Sequence, residues 1–94
     1  MKVKHWAGYG TLEARTIRRY PSTIVIEVSG NHEQGLEPRY FTNYDWMRWL
    51  GKRFRIDDGK DWLISTQTFW DEEDSKEKMI VQFIEKRSAE RWIR

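Results

Sequence analysis

Histidines and their neighbouring carboxylates are the side chains of this sequence with the most potential for metal binding or acid–base catalysis. His5 and His32 are the two histidines, and Glu33 directly follows His32. Helical zinc sites place two histidines four residues apart, and that spacing is absent. No serine lies in a sequence typical of a nucleophile turn. The pattern predicts no metal site, no cofactor and no catalytic residue, with one histidine on a strand surface and one in a loop.

Arginines beside tyrosines form the pattern with the most chemical content. They occur in two stretches, 15–20 and 39–41, with a histidine and a glutamate in the segment between them. Single-stranded nucleic acids bind to aromatic rings that stack on bases and to cations that neutralise phosphates. Tyr, Trp and Arg are also favoured anchors of protein interfaces. The candidate binding residues are Arg15, Arg18, Arg19, Tyr20, His32, Glu33, Arg39 and Tyr40.

A simpler interpretation places the aromatic side chains in the core and the basic ones on a solvated surface. Leu, Ile, Val and Phe account for 20 of the 94 residues, close to the limit of about 20% below which chains tend to be disordered. Six Trp and four Tyr supply further apolar surface, each burying roughly 150–250 Å². With a net charge of only +2, the composition predicts a single small folded domain over residues 1–94.

Two stretches early in the chain, 11–20 and 23–29, have the pattern of strands joined by a short turn. The second of them (TIVIEVS) is rich in β-branched residues, which favour strands. Its alternate positions Ile24, Ile26 and Val28 share one face. The two stretches predict an antiparallel β-hairpin.

A helix is predicted after Thr42. Thr42 and Asp45 fit a capping box, in which a hydroxyl residue is followed three positions later by an acid. Trp46, Trp49 and Leu50 belong to an apolar stripe that spans about 160° of the helix surface. Basic residues follow in the last turn, where cations suit the helix dipole.

The second half of the chain predicts another hairpin. Residues 61–70 alternate in polarity and place Trp62 and Trp70 on one face. Residues 79–85 (MIVQFIE) fit either a returning strand or a helix, and their β-branched content favours the strand. A short helix from Ser88 to the end is compatible with either alternative.

Together these elements predict an α+β fold of ββαββ type, with or without a short C-terminal helix. Two antiparallel β-hairpins form one sheet, and the central helix packs on one face of it. The core between helix and sheet is then expected to contain Trp46, Trp49, Trp62 and Trp70. The two other tryptophans, Trp6 and Trp92, have no periodic partner, so exposure of either would mark a site.

The composition excludes several classes of protein. Without cysteine there is no disulfide framework and no thiolate site. The longest aliphatic run has three residues, whereas a membrane-spanning helix needs about 20, so we expect a soluble, cytoplasmic protein. Residues 1–56 carry a net charge of +5 and residues 57–94 carry −3, and such an asymmetry permits a basic surface despite a nearly neutral total.

Three segments carry a resemblance to known sequences: Lys4–Gly10 (KHWAGYG), Gly30–Glu37 (GNHEQGLE) and, at the end of the predicted helix, Trp49-Leu50 with Lys52-Arg53-Phe54. They resemble segments of small uncharacterised proteins of phages and conjugative elements of Gram-positive bacteria. The resemblance covers about the first 55 residues. It implies no activity and no site residue, but it does imply an accessory protein of a mobile element that binds a host or phage macromolecule.

Three hypotheses of function follow. The first is a non-enzymatic module that binds a protein through loop 30–39 and the exposed residues of the first hairpin, because loops on rigid scaffolds often carry binding. The second is nucleic-acid binding through the arginines and their aromatic neighbours. The third is a metal-assisted enzyme that uses His5, His32 and Glu33. The sequence favours the first.

Overall fold

A computed structural model describes residues 1–5, 7–20, 22–54 and 62–86. These residues form one five-stranded antiparallel sheet and one α-helix. The strands are β1 (Lys2–Lys4), β2 (Thr11–Tyr20), β3 (Thr23–Ser29), β4 (Trp62–Asp71) and β5 (Lys76–Glu85). A short 3-10 turn (Pro38–Tyr40) precedes the helix α1 (Asn43–Phe54). None of the described helices is long and apolar enough to cross a membrane.

The strand order is β1-β2-β3-β5-β4. The two predicted hairpins are present as β2–β3 and β4–β5, and they join through antiparallel pairing of β3 with β5. The predicted α+β class is confirmed, and β1 adds a fifth strand that the prediction did not count. Residues 79–85 lie in β5, so the strand interpretation is correct. The helix predicted from Ser88, and both Trp6 and Trp92, lie outside the described residues.

One face of the sheet and the apolar stripe of α1 form the core. Ile24, Ile26 and Val28 are buried, as their alternation predicts. On the helix, Trp46 and Leu50 are fully buried. The helix contacts the edge strands β1 and β4, so it extends across the width of this covered face. We call the opposite face the open face.

Ring stacking strengthens the contact between the helix and its surroundings. Trp49 lies over Phe83 of β5, with ring centroids 5.9 Å apart. Phe41, just before the helix, stacks on Trp46 at 5.2 Å. Stacked aromatic pairs of this kind contribute about 0.5–1.5 kcal/mol beyond the area that they bury. Aromatic side chains therefore fill part of this core, where most proteins have aliphatic side chains.

The prediction of four core tryptophans is correct for the helix and wrong for the far end of β4. Trp46 and Trp49 are buried, and Trp62 packs partly against the core. Trp70, in contrast, is 59% exposed. It lies on the covered side, but at the end of an edge strand, whereas the core contacts of β4 come from Trp62 and Ile64 at its beginning.

One half of the predicted capping box is present at the start of α1, where the acid accepts from the residue that precedes the helix. The backbone N–H and the hydroxyl of Thr42 both donate to Asp45 Oδ2, at 2.8 and 3.1 Å. The carboxylate also lies in the first helical turn, where a negative charge suits the dipole. These contacts fix where the helix begins, and with it the position of the 3-10 turn just before it.

Candidate binding site

Two tight loops meet at one end of the sheet. The first follows β1, where the N–H of His5 donates to the carbonyl of Gly10 (2.9 Å) and the N–H of Gly8 donates to that of His5 (3.0 Å). The second follows β3 and is closed by a pair of backbone hydrogen bonds between Asn31 and Leu36, at 2.8 and 2.9 Å. Both loops are therefore short, hydrogen-bonded structures.

Side-chain amides fasten the second loop to the first. Gln34 Oε1 accepts from the N–H of Thr11 (3.0 Å) and from Asn31 Nδ2 (3.1 Å), and Asn31 Nδ2 also donates to the carbonyl of Thr11 (3.1 Å). Gly10 permits this approach, because a Cβ at that position would overlap Gln34 Oε1. A surface held in this way loses little conformational freedom on binding a partner.

His5 lies beneath the loops. It is 5% exposed, so its predicted place on a strand surface is wrong. Its Nδ1 accepts from the N–H of Ala7 at 3.0 Å, and its Nε2 lies 3.3 Å from the carbonyl of Tyr40. This pattern fits a neutral ring with the proton on Nε2. The ring also contacts Phe41 edge-on at 5.0 Å, and it joins the end of β1 to the 3-10 turn.

A cleft of about 470 Å³ opens above His5. Its exposed walls are Tyr9 and Tyr40, which are 72% and 50% exposed, and the buried side chain of Leu36 contributes to its lining. Pockets that bind small ligands have volumes of about 300–1,000 Å³, so one or two side chains of a partner would fit. The complete lining is His5, Tyr9, Gln34, Gly35, Leu36 and Tyr40.

Arg39 extends the rim of this cleft. Its guanidinium carbon is 5.5 Å from the centroid of the Tyr40 ring, and its Nε is 3.8 Å from Glu77 Oε1. The contact with Tyr40 is the largest cause that raises the pKa of Arg39, and the charge of Glu77 is the next. The arginine therefore stays charged beside an exposed aromatic ring.

The structure divides the predicted binding residues into separate groups. Arg39 and Tyr40 lie on the rim of the cleft, whereas His32 and Glu33 line a separate polar depression of about 410 Å³. Both of the latter are exposed, at the tip of the second loop.

The arginines of the first hairpin belong to another region. Arg18 and Arg19 are exposed near the turn between β2 and β3 and pair with Val25 and Ile24. The backbone of Tyr20 pairs with Thr23 at the same end. The seven residues of β3, at about 3.3 Å each, separate this turn from the loops by roughly 20 Å. The hairpin turn and loop 30–39 therefore do not form one continuous contact surface.

Carboxylates neutralise part of the positive charge on the open face. Arg15 forms a two-point ion pair with Glu27, at 3.0 and 3.2 Å, and the same contact raises its pKa. The mostly buried Lys78 lies 2.7 Å from Asp71 and 2.6 Å from Asp74. The open face of the hairpins is thus less basic than its arginines and lysines suggest.

Two groups of residues were missed by the sequence analysis. Tyr9 is a wall of the cleft, and its position between two glycines marks an exposed turn. The other group is a basic cluster around a hollow of about 270 Å³ between β1 and α1. Its basic residues, all exposed, are Lys4, Arg48, Lys52 and Arg53.

The signal for the basic cluster was present in the helix pattern, since Arg48 and Lys52 lie opposite the apolar stripe. The contribution of Lys4 depends on long-range packing of β1 beside the helix, which a local pattern does not contain. Among the described residues, no carboxylate forms an ion pair with Lys4, Arg48 or Lys52.

Comparison with known proteins gives no match. No family model fits the chain, and neither a curated protein nor a solved structure is significantly similar to it.

Proposed function

We propose that this chain is a non-enzymatic protein-binding module whose contact site is the cleft between Tyr9 and Tyr40, with Arg39 on its rim. The observation that carries the proposal is the exposure of these aromatic rings on hydrogen-bonded loops. A small domain short of aliphatic residues needs its aromatic rings for the core, yet Tyr9 and Tyr40, which line the same cleft, are among the rings that remain largely in solvent.

The chemistry of the site suits a protein partner. Tyr and Arg are enriched among the residues that dominate binding energy at protein interfaces. The fixed loops reduce the entropy lost on association, and the exposed rings of Tyr9 and Tyr40 offer apolar surface to a partner's aliphatic or aromatic side chain. Arg39 adds a charge that favours an acidic group next to that side chain.

The resemblance to proteins of phages and conjugative elements supports a partner from the host or the phage. In this proposal the chain is a cytoplasmic accessory protein of a mobile element. No step of chemistry is required of it, and the binding residues act by contact alone.

Affinity capture from host lysate, followed by mass spectrometry, tests the proposal. The double variant Tyr9→Ser, Tyr40→Ser is expected to lower the recovery of a specific partner at least tenfold, since loss of one anchor costs about 2 kcal/mol or more. Tyr44→Ser is the matched control, because Tyr44 is 65% exposed on α1 and is absent from the cleft lining. Equal recovery by the wild type and the double variant would contradict the proposal.

A second candidate function is nucleic-acid binding, and the basic cluster is the observation that favours it. Four exposed cations surround one hollow, and the carboxylate of Asp45 beside them is engaged by Thr42. Phosphate contacts of this kind supply most of the affinity of non-specific binding. Titration of labelled single- and double-stranded DNA and RNA at two salt concentrations tests it, and an absence of binding at low salt would exclude it.

A further inference from the structure

The outer edge of β4 lacks the features that normally protect an edge strand. Edge strands usually carry lysines, prolines or bulges that prevent pairing with another chain. From Trp62 to Trp70 (WLISTQTFW) there is no charged residue, no proline and no glycine. The pairing of β4 with β5 is also continuous over all ten residues, without a bulge. No described residue pairs with the outer side of β4.

Hydrogen bonds on the other side of β5 show which backbone groups of β4 point outward. The N–H of Gly30 donates to the carbonyl of Glu77, and the N–H of Glu85 donates to that of Ser22, both at 2.9 Å. The backbone N–H and C=O groups of odd-numbered residues of β5 therefore form hydrogen bonds to β3, and those of even-numbered residues form hydrogen bonds to β4. Because the even residues of β5 are opposite odd residues of β4, the even residues of β4 direct their N–H and C=O groups outward. These residues are Trp62, Ile64, Thr66, Thr68 and Trp70.

Large apolar side chains lie near both ends of this edge. Leu63 is 45% exposed, Phe69 37% and Trp70 59%. Apart from Ile64, the residues between Leu63 and Phe69 are uncharged and polar, and Thr66 lies midway between Trp62 and Trp70. The edge is therefore symmetric in character about Thr66.

We propose that the outer edge of β4 pairs antiparallel with β4 of a second copy of this chain, with Thr66 on the two-fold axis. Each outward backbone group then has a partner, because Thr66 opposes Thr66 and Ile64 opposes Thr68 of the second copy. The two sheets become one continuous sheet, and both α1 helices lie on the same side of it.

The side chains select a second copy and this register. With the two-fold axis at Thr66, Leu63 lies opposite Phe69 of the second copy, and Trp62 lies opposite Trp70 of the second copy. Apolar and aromatic pairs of this kind across neighbouring strands stabilise a sheet.

Neighbouring registers lose these matches. A shift of the axis to Gln67 places Leu63 opposite Asp71, and a shift to Ser65 places it opposite Gln67. The strand therefore matches its own reversed sequence in one alignment, so an identical chain is the occupant that its pattern fits.

Sedimentation equilibrium tests the pairing on the intact chain. We expect a concentration-dependent mass up to twice the 11.5 kDa of one chain. Thr66→Lys places two like charges on the axis and is expected to raise the dimer dissociation constant at least tenfold. Thr16→Lys is the matched control, since Thr16 is an exposed threonine of β2 far from this edge, and it should dimerise as the wild type does.

A mixture of two variants gives the sharpest result. Residue 66 faces its own copy only if the axis passes through it, so equimolar Thr66→Lys and Thr66→Glu chains should restore the dimer that neither forms alone. A wild type that stays monomeric at about 1 mM would overturn the proposal. So would a dimer that Thr66→Lys leaves unchanged, since the contact would then lie elsewhere.

Cross-linking keeps the proposal testable if the charged variants do not fold. The chain has no cysteine, so Thr66→Cys introduces a single thiol. Directly opposed hydrogen-bonded residues have Cα atoms about 5.5 Å apart, within the range of a disulfide. Thr66→Cys should form a covalent dimer on mild oxidation, whereas Thr68→Cys, which opposes Ile64, should not. Equal cross-linking of both would overturn the register.

The dimer is independent of the proposed protein-binding site. The cleft is built by the loops after β1 and β3, and β1 and β4 are opposite edges of the sheet. Loss of partner capture in the Tyr9→Ser, Tyr40→Ser variant with an unchanged dimer, or the reverse, distinguishes failure of one proposal from failure of the other.

Discussion

The two histidines occupy opposite environments in this chain. His5 is buried and hydrogen-bonded through both ring nitrogens to backbone groups, whereas His32 is exposed on a loop. A buried N–H or carbonyl left without a partner is costly, so His5 has a clear structural role. Its place beneath the cleft also means that changes at His5 affect the walls of the proposed site.

Replacement of His5 tests this role. His5→Leu keeps most of the side-chain volume but leaves the N–H of Ala7 and the carbonyl of Tyr40 without the imidazole. We expect the free energy of unfolding to fall by roughly 1–3 kcal/mol, the usual penalty for an unsatisfied buried group. Urea denaturation followed by circular dichroism measures it.

The other histidine supplies the control for that measurement. His32→Leu changes an exposed side chain and should alter the free energy of unfolding by no more than about 0.5 kcal/mol. If the two variants lose equal stability, the hydrogen bonds of His5 do not hold the loops together.

Ion pairs at the turn of the β4–β5 hairpin hold its two strands together. Lys78 lies 2.7 Å from Asp71 and 2.6 Å from Asp74, and its pKa is raised by its hydrogen bonds to these two carboxylates. The same lysine lowers the pKa of Asp71, and the backbone N–H groups of Asp74 and Glu73 lower it further. The turn therefore holds its lysine and aspartate in their charged forms.

This arrangement predicts how the free energy of unfolding depends on pH. The pKa of Asp71 is lower in the folded state than the unfolded value of about 3.9. Its contribution to stability is therefore complete above that value and is lost as the pH falls through the folded pKa. Asp71→Asn should unfold more easily at pH 7 and should lose less stability than the wild type on acidification below about pH 4. Urea titrations across this range measure both effects.

A neighbouring acid provides the comparison. Glu72→Gln changes an exposed carboxyl in the same turn and should follow the wild-type pH profile. An Asp71→Asn profile that parallels the wild type would show that the ion pair with Lys78 does not contribute to stability.

Local patterns predicted the elements, because their signals lie within a few residues of each other. The alternation of Ile24, Ile26 and Val28 and the capping pair Thr42–Asp45 were sufficient for one hairpin strand and for the helix start. The exposure of Trp70 could not be derived in this way, because alternation gives the face of a strand but not its place at the edge of a sheet. That place depends on the pairing of β3 with β5, which joins residues 49 to 61 positions apart.

The candidate site depends even more on long-range contacts. Arg39 and Tyr40 were predicted and lie on the cleft, but Tyr9 joins them only because Gln34 and Asn31 bind the backbone of Thr11. Local patterns also do not show that β3 separates the hairpin arginines from loop 30–39. The prediction therefore placed both in one contact surface.

The distribution of charge over the molecule determines which surface can attract an anion. The basic half of the sequence contributes both the hairpin arginines and the cluster between β1 and α1. Within the described part of the chain, Arg15 is paired with Glu27, while Arg48 and Lys52 have no carboxylate partner. We therefore expect a polyanion to be attracted more strongly to the helix side than to the hairpin, where Glu27 neutralises one of the arginines.

This difference gives a quantitative prediction for nucleic-acid binding. Each phosphate contact contributes about 0.9 to the slope of log affinity against log salt concentration on double-stranded DNA. If the basic cluster binds DNA, the double variant Arg48→Ala, Lys52→Ala should lower that slope by about 1.8 and weaken binding at low salt. The double variant Arg15→Ala, Arg18→Ala removes the same charge from the hairpin and should leave the slope nearly unchanged. Fluorescence anisotropy at several salt concentrations measures the slope for both double variants. A larger change of slope in the hairpin variant would show that the first hairpin is the binding surface.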